Sequence, residues 1–438
     1  MTAGPMGNKS TSDIDSVLVY KSLSRYLKFS ENEEGWWHKT APLLNKILAA
    51  AKYDVHLQYR YLVFYYAACV SALGPYPQRF SSSITRSGLP VEFSVNYQNN
   101  SKPIVRIGYE PISHLSGTER DPYNHKTASE IVATLSKIQP DFDPRLFNYF
   151  VHQLSVNKAE SDVLNGANVE GSEMKSQTAF GFDLVNGEIS VKGYAFPAMK
   201  CQVSQQSLSQ LLKAAINGLK GEFDCAFGLV DEYMERCGGY NQFSFVSWDC
   251  VVPAKSRFKV YGVHNDVTWK KIEDIWTLGG QATSGNVTKG LELLKELWTL
   301  IDLDEGERGY TGRFDDANDN GSNIQSPMVW NYELRPNNPW PLAKFYFPVH
   351  GENDMKIVKG LARFFENRGW TELARSYVQT VSSFFPDRDL NQTQRLVSWI
   401  SFAYTEKTGV YLSVYYHSSA DYLWISESGE KRGQGDGA

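Results

Sequence analysis

Apolar and polar positions along this chain alternate between two periods, one near 3.6 and one near two. These are the spacings of an amphipathic helix and of a half-buried strand. From Val287 to Ile301, Leu291, Leu294, Leu297, Trp298 and Ile301 fall on one helical face, and Met355 to Arg368 and Ser207 to Leu219 read as helices too. Between such stretches lie pairs of period-two segments, predicted as strands at 88–98 with 102–110, 177–185 with 189–197, 243–252 with 257–264, 327–335 with 343–350, and 396–404 with 409–417. Their connections carry Asn99-Asn100, Asn186-Gly187, Pro253-Ala254, Asn337-Asn338 and Thr408-Gly409, residues suited to hairpin turns. The recurring unit is therefore helices followed by a strand pair. Five such ααββ units supply ten antiparallel strands, enough for one closed barrel with helices outside. No low-complexity linker divides the chain, so 16–424 reads as a single domain. The segments 1–15 and 425–438 are expected to be disordered.

The polar positions of the strands carry the functional signal. In the second strand of each pair, cations and tyrosines share one face and apolar residues the other. Lys192 and Tyr194 alternate with Val191, Gly193 and Ala195, and Arg257, Lys259 and Tyr261 with Phe258, Val260 and Gly262. Lys344 and Tyr346 alternate with Phe345 and Phe347, Tyr411, Ser413 and Tyr415 with Leu412 and Val414, and Arg106 with Val105 and Ile107. For any single strand, a charged face is ordinarily a solvated one. Here, however, four strands carry the cations, and three of them place a tyrosine two residues after a lysine. Solvated strands have no reason for that spacing. If the apolar faces meet the helices, the polar aromatic faces point inward and line a solvent-accessible lumen.

Composition narrows the class. Over 438 residues the net charge is −5, from 44 basic and 49 acidic residues, so no overall field draws nucleic acid or an anionic membrane. No apolar run is long enough to span a bilayer, and the polar start lacks a signal peptide's core. The five cysteines (Cys69, Cys201, Cys225, Cys237 and Cys250) are an odd number without a Cys-x-x-Cys pair, which fits reduced thiols in a cytoplasmic protein.

Cations lining a closed lumen suit a diphosphate and its release, with no metal required. Tyrosine faces suit a carbocation, which they stabilise and shield from water. Glu92 shares its strand face with Ser94 and Asn96. From the residues alone it is either a partner for an indole N–H and its proton or a rim carboxylate paired with Arg106. Other signals fall away. Asp315-Asp316-Ala317-Asn318-Asp319 matches a magnesium-binding pattern of helical prenyl synthases, but it runs into turn-forming Asn320-Gly321-Ser322-Asn323 and reads as a surface loop. Asn265-Asp266 with Glu273 lacks the hydroxyl residue of the second such motif. His350 and His417 read as hydrogen-bonded wall residues.

These residues resemble a known family. Trp36-Trp37, Leu73-Gly74-Pro75, Gly88-Leu89-Pro90-Val91-Glu92-Phe93 and Arg106-Ile107-Gly108 carry the resemblance in the first third of the chain. Lys192-Gly193-Tyr194, Lys255-Ser256-Arg257-Phe258-Lys259-Val260-Tyr261, Trp276-Thr277-Leu278-Gly279-Gly280 and Val410-Tyr411-Leu412-Ser413-Val414-Tyr415 continue it. Over about residues 20–420 the chain resembles the fungal indole prenyltransferases of the dimethylallyltryptophan synthase type, whose fold is the α/β ααββ (ABBA) barrel. The resemblance implies Glu92 as the indole-binding catalytic carboxylate and Arg106, Lys192, Arg257, Lys259 and Lys344 as diphosphate ligands. It implies Tyr194, Tyr261, Tyr346, Trp399 and Tyr415 as the cation shield. Lys344 stands where several members have Gln, and Trp399 where many have Tyr. Members that alkylate C4 of free tryptophan carry a lysine where this chain has Ala179. Ser83-Ile84-Thr85-Arg86-Ser87-Gly88-Leu89-Pro90 looks closest to enzymes acting on tryptophan-containing cyclic dipeptides, including the deoxybrevianamide E synthase type. The expected reaction is dimethylallyl transfer from dimethylallyl diphosphate to such an indole, in reverse at C2, by a monomer or homodimer with no obligatory metal or other cofactor. Free tryptophan, a linear peptide or a phenol as acceptor, and a non-catalytic diphosphate- or aromatic-binding barrel, stay open on the sequence.

Overall fold

Ten antiparallel strands close on themselves in the computed structural model, which describes residues 17–99, 101–166, 175–219, 223–309 and 325–420. They are β1 (Val91–Gln98), β2 (Ile104–Tyr109), β3 (Thr178–Val185), β4 (Glu188–Ala195), β5 (Phe245–Asp249), β6 (Phe258–His264), β7 (Met328–Leu334), β8 (Leu342–Phe347), β9 (Val397–Thr405) and β10 (Gly409–Tyr416). Each pairs with its neighbours in sequence, and β1 closes the ring against β10, with Ser94 opposite Tyr415. The strand predictions hold, with end differences of up to three residues. The ladder of β5, for example, ends at Asp249 rather than 252 because Pro253 opens a 3-10 turn over Pro253–Lys255.

Two or three helices precede each hairpin and pack on the barrel's outside. Glu31–Ala50 and Val55–Phe64 come before β1, Arg145–Leu154 before β3, and Leu208–Asn217 and Asp224–Cys237 before β5. Gly285–Ile301 precedes β7, and Asp354–Asn367 and Thr371–Phe384 precede β9. The first starts where Ser30 and Glu33 form a reciprocal capping box, which satisfies two otherwise orphaned amides. The outward strand residues Val105, Ile107, Phe258, Val260, Phe345, Phe347, Leu412 and Val414 are all buried, so the apolar faces meet the helices as predicted. At Asn186-Gly187 both residues have positive φ (51° and 87°), the conformation a two-residue hairpin needs.

Two outward-facing glycines let tryptophans lie against the sheet. A Cβ at Gly193 would stand 2.7 Å from the Trp248 ring, and one at Gly262 would stand 2.3 Å from Trp330. Both indoles are fully buried. No helix among the described residues is long and apolar enough to cross a membrane. The terminal segments 1–15 and 425–438, Asn100, and the Asp315–Asp319 motif lie outside the described residues.

Candidate active site

Because side chains alternate across a strand, closing the barrel brings the charged face of every second strand into one chamber. The lumen is a cavity of about 990 Å³, and all the sequence-predicted site residues line it. Arg106 projects from β2, Lys192 and Tyr194 from β4, Lys259 and Tyr261 from β6, and Lys344 and Tyr346 from β8. Arg257 enters from the residue before β6, Glu92 from β1, Trp399 from β9 and Tyr415 from β10.

The cations do not stand alone. Asp183 on β3 lies opposite Arg106 in register, with its carboxylate 3.0 Å from Arg106 Nε and 2.5 Å from Lys192 Nζ. Asp249 on β5 lies opposite Lys192 and grips Arg257 through two contacts, 2.6 Å to Nε and 2.9 Å to Nη2. Glu333 on β7 lies opposite Lys259, 3.7 Å from its Nζ and 3.4 Å from Arg257 Nη1. Burial alone would raise Asp183, but Arg106 and Lys192 hold it well below the usual carboxylate range. Asp249 is likewise driven down to about 2, chiefly by Lys259 and Arg257 against the effect of burial. Lys344 has a different environment. Its Nζ sits 4.3 Å from the centre of the Tyr411 ring, and burial, with Lys259 and Arg106 nearby, pushes its pKa well below the ordinary lysine value. Five basic side chains thus face three carboxylates, a cluster with more cationic groups than anionic ones and so suited to an incoming polyanion.

The aromatic residues form a continuous belt. Ring centres step from Tyr194 to Phe245 (6.4 Å), to Tyr261 (4.0 Å), to Tyr346 (6.1 Å) and to Tyr415 (6.1 Å). Trp399 extends it, paired in register with Tyr415. The rings and the basic side chains alternate along the same inward faces, so a cation formed beside them would meet π faces.

Glu92 is not a rim carboxylate paired with Arg106. Arg106 is taken by Asp183, by Ser413 Oγ at 3.0 Å and by the Tyr411 hydroxyl. Glu92 instead accepts a hydrogen bond from Ser398 Oγ, and burial pushes its carboxyl up to about 8. In register it starts a row that runs through Gly108 and Gly181 to Lys192. These two adjacent inward positions carry no side chain, and the Tyr194 ring lies over Gly181, 3.1 Å from where a Cβ would stand. Ala179, Ser83, Ile84, Thr85 and Arg86 line the same cavity. His417 and His350 are buried outside it, and His417 shares a 2.9 Å hydrogen bond with Ser87.

Sequence reasoning missed Asp183, Asp249 and Glu333, as well as Phe245, Ser398 and the role of Tyr411 as a partner of both Arg106 and Lys344. A signal for the acids existed, since each stands on the inward parity of a strand next to a cation-bearing one. Register across strands was needed to read it.

Residues 32–380 match the family described as tryptophan dimethylallyltransferase. Echinulin prenyltransferase 1 of Aspergillus ruber is 47% identical over 405 residues, which cover 91% of this chain and 96% of that protein. Reverse prenyltransferase criA of Aspergillus cristatus is 44% identical over 427 residues, covering 96% and 98%. The crystal structure of NotF in complex with brevianamide F and DMSPP superposes with a TM-score of 0.84 at 39% identity, over 92% of this chain and 99% of that one. NotF is a deoxybrevianamide E synthase of an Aspergillus species.

Proposed function

The chain belongs to the tryptophan dimethylallyltransferase family of aromatic (indole) prenyltransferases, and from that premise we propose that it transfers a dimethylallyl group to the indole of a tryptophan-containing cyclic dipeptide, in reverse at C2 and without metal. The observation that carries this reading is one cavity in which Glu92 opens on the same space as five cations and the ring belt.

In this mechanism Arg106, Lys192, Arg257, Lys259 and Lys344 bind the diphosphate of dimethylallyl diphosphate and stabilise its charge as the C–O bond breaks. The bonding pair leaves with the diphosphate. The allylic cation that remains is screened from water by Tyr194, Tyr261, Tyr346, Tyr415 and Trp399. Glu92 accepts the indole N–H, which raises the ring's nucleophilicity. The tertiary carbon of the cation bonds to indole C2, and the displaced ring proton passes to a base, for which the raised proton affinity of Glu92 is suited. Ala179 offers no side-chain base in this cavity, which argues against C4 alkylation of free tryptophan. The reverse regiochemistry and the dipeptide acceptor are supported by the names of the relatives, one a reverse prenyltransferase and one bound to brevianamide F.

The test is incubation of purified protein with dimethylallyl diphosphate and EDTA against tryptophan, tryptophan-containing cyclic dipeptides and phenols, followed by mass spectrometry and product NMR. One added dimethylallyl group at C2 of a cyclic dipeptide, in EDTA, is the expected result. Product on a phenol alone, or activity restored only by Mg²⁺, would sink the acceptor or the metal-free reading respectively.

A further inference from the structure

Resting on the reading of this cavity as the donor site, we propose that Asp183 is a positioning residue, whose single carboxylate holds Arg106 and Lys192 together and keeps the Lys192 ammonium charged for the diphosphate.

The three residues come from three consecutive strands, β2, β3 and β4. One oxygen of Asp183 stands 3.0 Å from Arg106 Nε and the other 2.5 Å from Lys192 Nζ, so each oxygen takes one cation. Without the carboxylate the two cations would repel each other, and the lysine, with its flexible stem, would be the one to move. Asp183 is only 15% exposed at its side chain, and Lys192 10%, so water cannot easily take its place. The groups acting on Lys192 from the surrounding walls are Asp183, Arg106, Arg257 and Asp249, and Lys344 lies within electrostatic reach as well. Burial and the neighbouring cations favour the neutral amine, and Asp183 leads the opposition. Arg106 keeps its charge whatever surrounds it, so the loss of Asp183 must appear at Lys192. As an anion, Asp183 does not bind the diphosphate; it acts through the two cations.

The experiment measures the dissociation constant of dimethylallyl thiolodiphosphate by titration calorimetry from about pH 6.5 to about pH 9, as the ratio of variant to wild type. The ratio cancels the ionisation of the ligand and of Glu92. For Asp183→Asn the ratio is expected to rise about 2- to 10-fold across that range, about tenfold being the limit that one pKa unit lost at a lysine sets. For the double variant Asp183→Asn/Lys192→Arg it is expected to stay flat, because a guanidinium does not deprotonate. A ratio that is constant with pH in the single variant would make Asp183 a packing residue. Tighter binding at every pH would make it a competitor of the diphosphate. Either result overturns the proposal. Lys192→Met with wild-type affinity at about pH 6.5 would overturn the donor-site reading itself, a failure visible before Asp183 is touched. Should Asp183→Asn not fold, Asp183→Glu keeps the charge on a longer arm. Weaker binding with a flat ratio then supports the proposal, and a rising ratio overturns it.

Discussion

Ser398 Oγ donates a 3.3 Å hydrogen bond to Oε2 of Glu92 across 306 residues of sequence, joining β9 to β1 on the inside of the barrel. That hydroxyl favours the carboxylate form, yet burial outweighs it and holds Glu92 near pKa 8. The Glu92 carboxyl therefore titrates in the range where enzymes are assayed.

The first prediction concerns rate against pH. If Glu92 acts as an acceptor and base, kcat/KM for the indole should rise with pH and level off above about 8, since the protonated acid cannot accept the N–H. Glu92→Gln should lower kcat by about 10²- to 10⁴-fold and remove that limb. An unchanged acid limb in the variant would assign the titration to another group.

Stability gives an independent reading of the same residue. A carboxyl whose folded pKa lies above its unfolded value adds stability at low pH and loses that contribution as pH rises through about 8. Glu92→Gln should therefore melt higher than wild type at pH 9, and the gap should shrink toward pH 5. A gap that widens on acidification would contradict the burial of this group.

Lys344 should behave in the opposite sense. Its folded pKa is depressed, chiefly by burial, so its charged form costs stability at low and neutral pH and the cost fades as pH rises. Lys344→Gln should raise the melting temperature near pH 6.5 and less so at higher pH, while weakening the donor's affinity by about 3- to 10-fold through the lost charge-assisted contact. Calorimetry and thermal melts on one preparation check both halves. A variant that both binds the donor more tightly and melts lower would refute the assignment.

Shielding can be read from side products. Tyr346 is the middle ring between Tyr261 and Tyr415, 6.1 Å from each. Tyr346→Ala should admit water and raise the share of donor lost as dimethylallyl alcohol by about 2- to 30-fold, the equivalent of about 0.5–2 kcal/mol of cation stabilisation. Tyr346→Phe, which keeps the ring, should restore coupling. Equal alcohol shares in the Ala and Phe variants would show that the ring is not the shield.

Gly193 tests the wall. A Cβ there would come 2.7 Å from the buried Trp248 indole, so Gly193→Ala should cost about 1–3 kcal/mol and lower the melting temperature by several degrees. The spacing of Lys192 and Tyr194 around this glycine thus reflects packing on one face as much as chemistry on the other. A melting temperature equal to wild type would mean that the Trp248 ring can yield.

Most of the barrel could be read locally. The period-two runs, the Asn186-Gly187 turn and the helical stripe of Gly285–Ile301 each follow from residues within a few positions of one another. The inward cations and tyrosines were legible for the same reason, because strand alternation fixes the face of Lys259 once that of Phe258 is known. Glu92 was legible as a lumen residue but not in its partner. Arg106, on the adjacent strand, looked available, and only the position of Asp183 removed it.

The sequence by itself determined, through strand alternation, which faces turn to the lumen and the chemical character they carry there: lysines and arginines, aromatic rings, and Glu92. The tertiary structure alone decided which charges meet. Asp183 with Arg106, Lys192 with Asp249, and Lys259 with Glu333 face each other because strands far apart in sequence adopt one register. Closure of β1 on β10, and the reach of Ser398 to Glu92, depend on segments some 300 residues apart. Periodicity is a property of neighbours along the chain. Register, ring closure and the shared burial that sets each pKa belong to the folded whole.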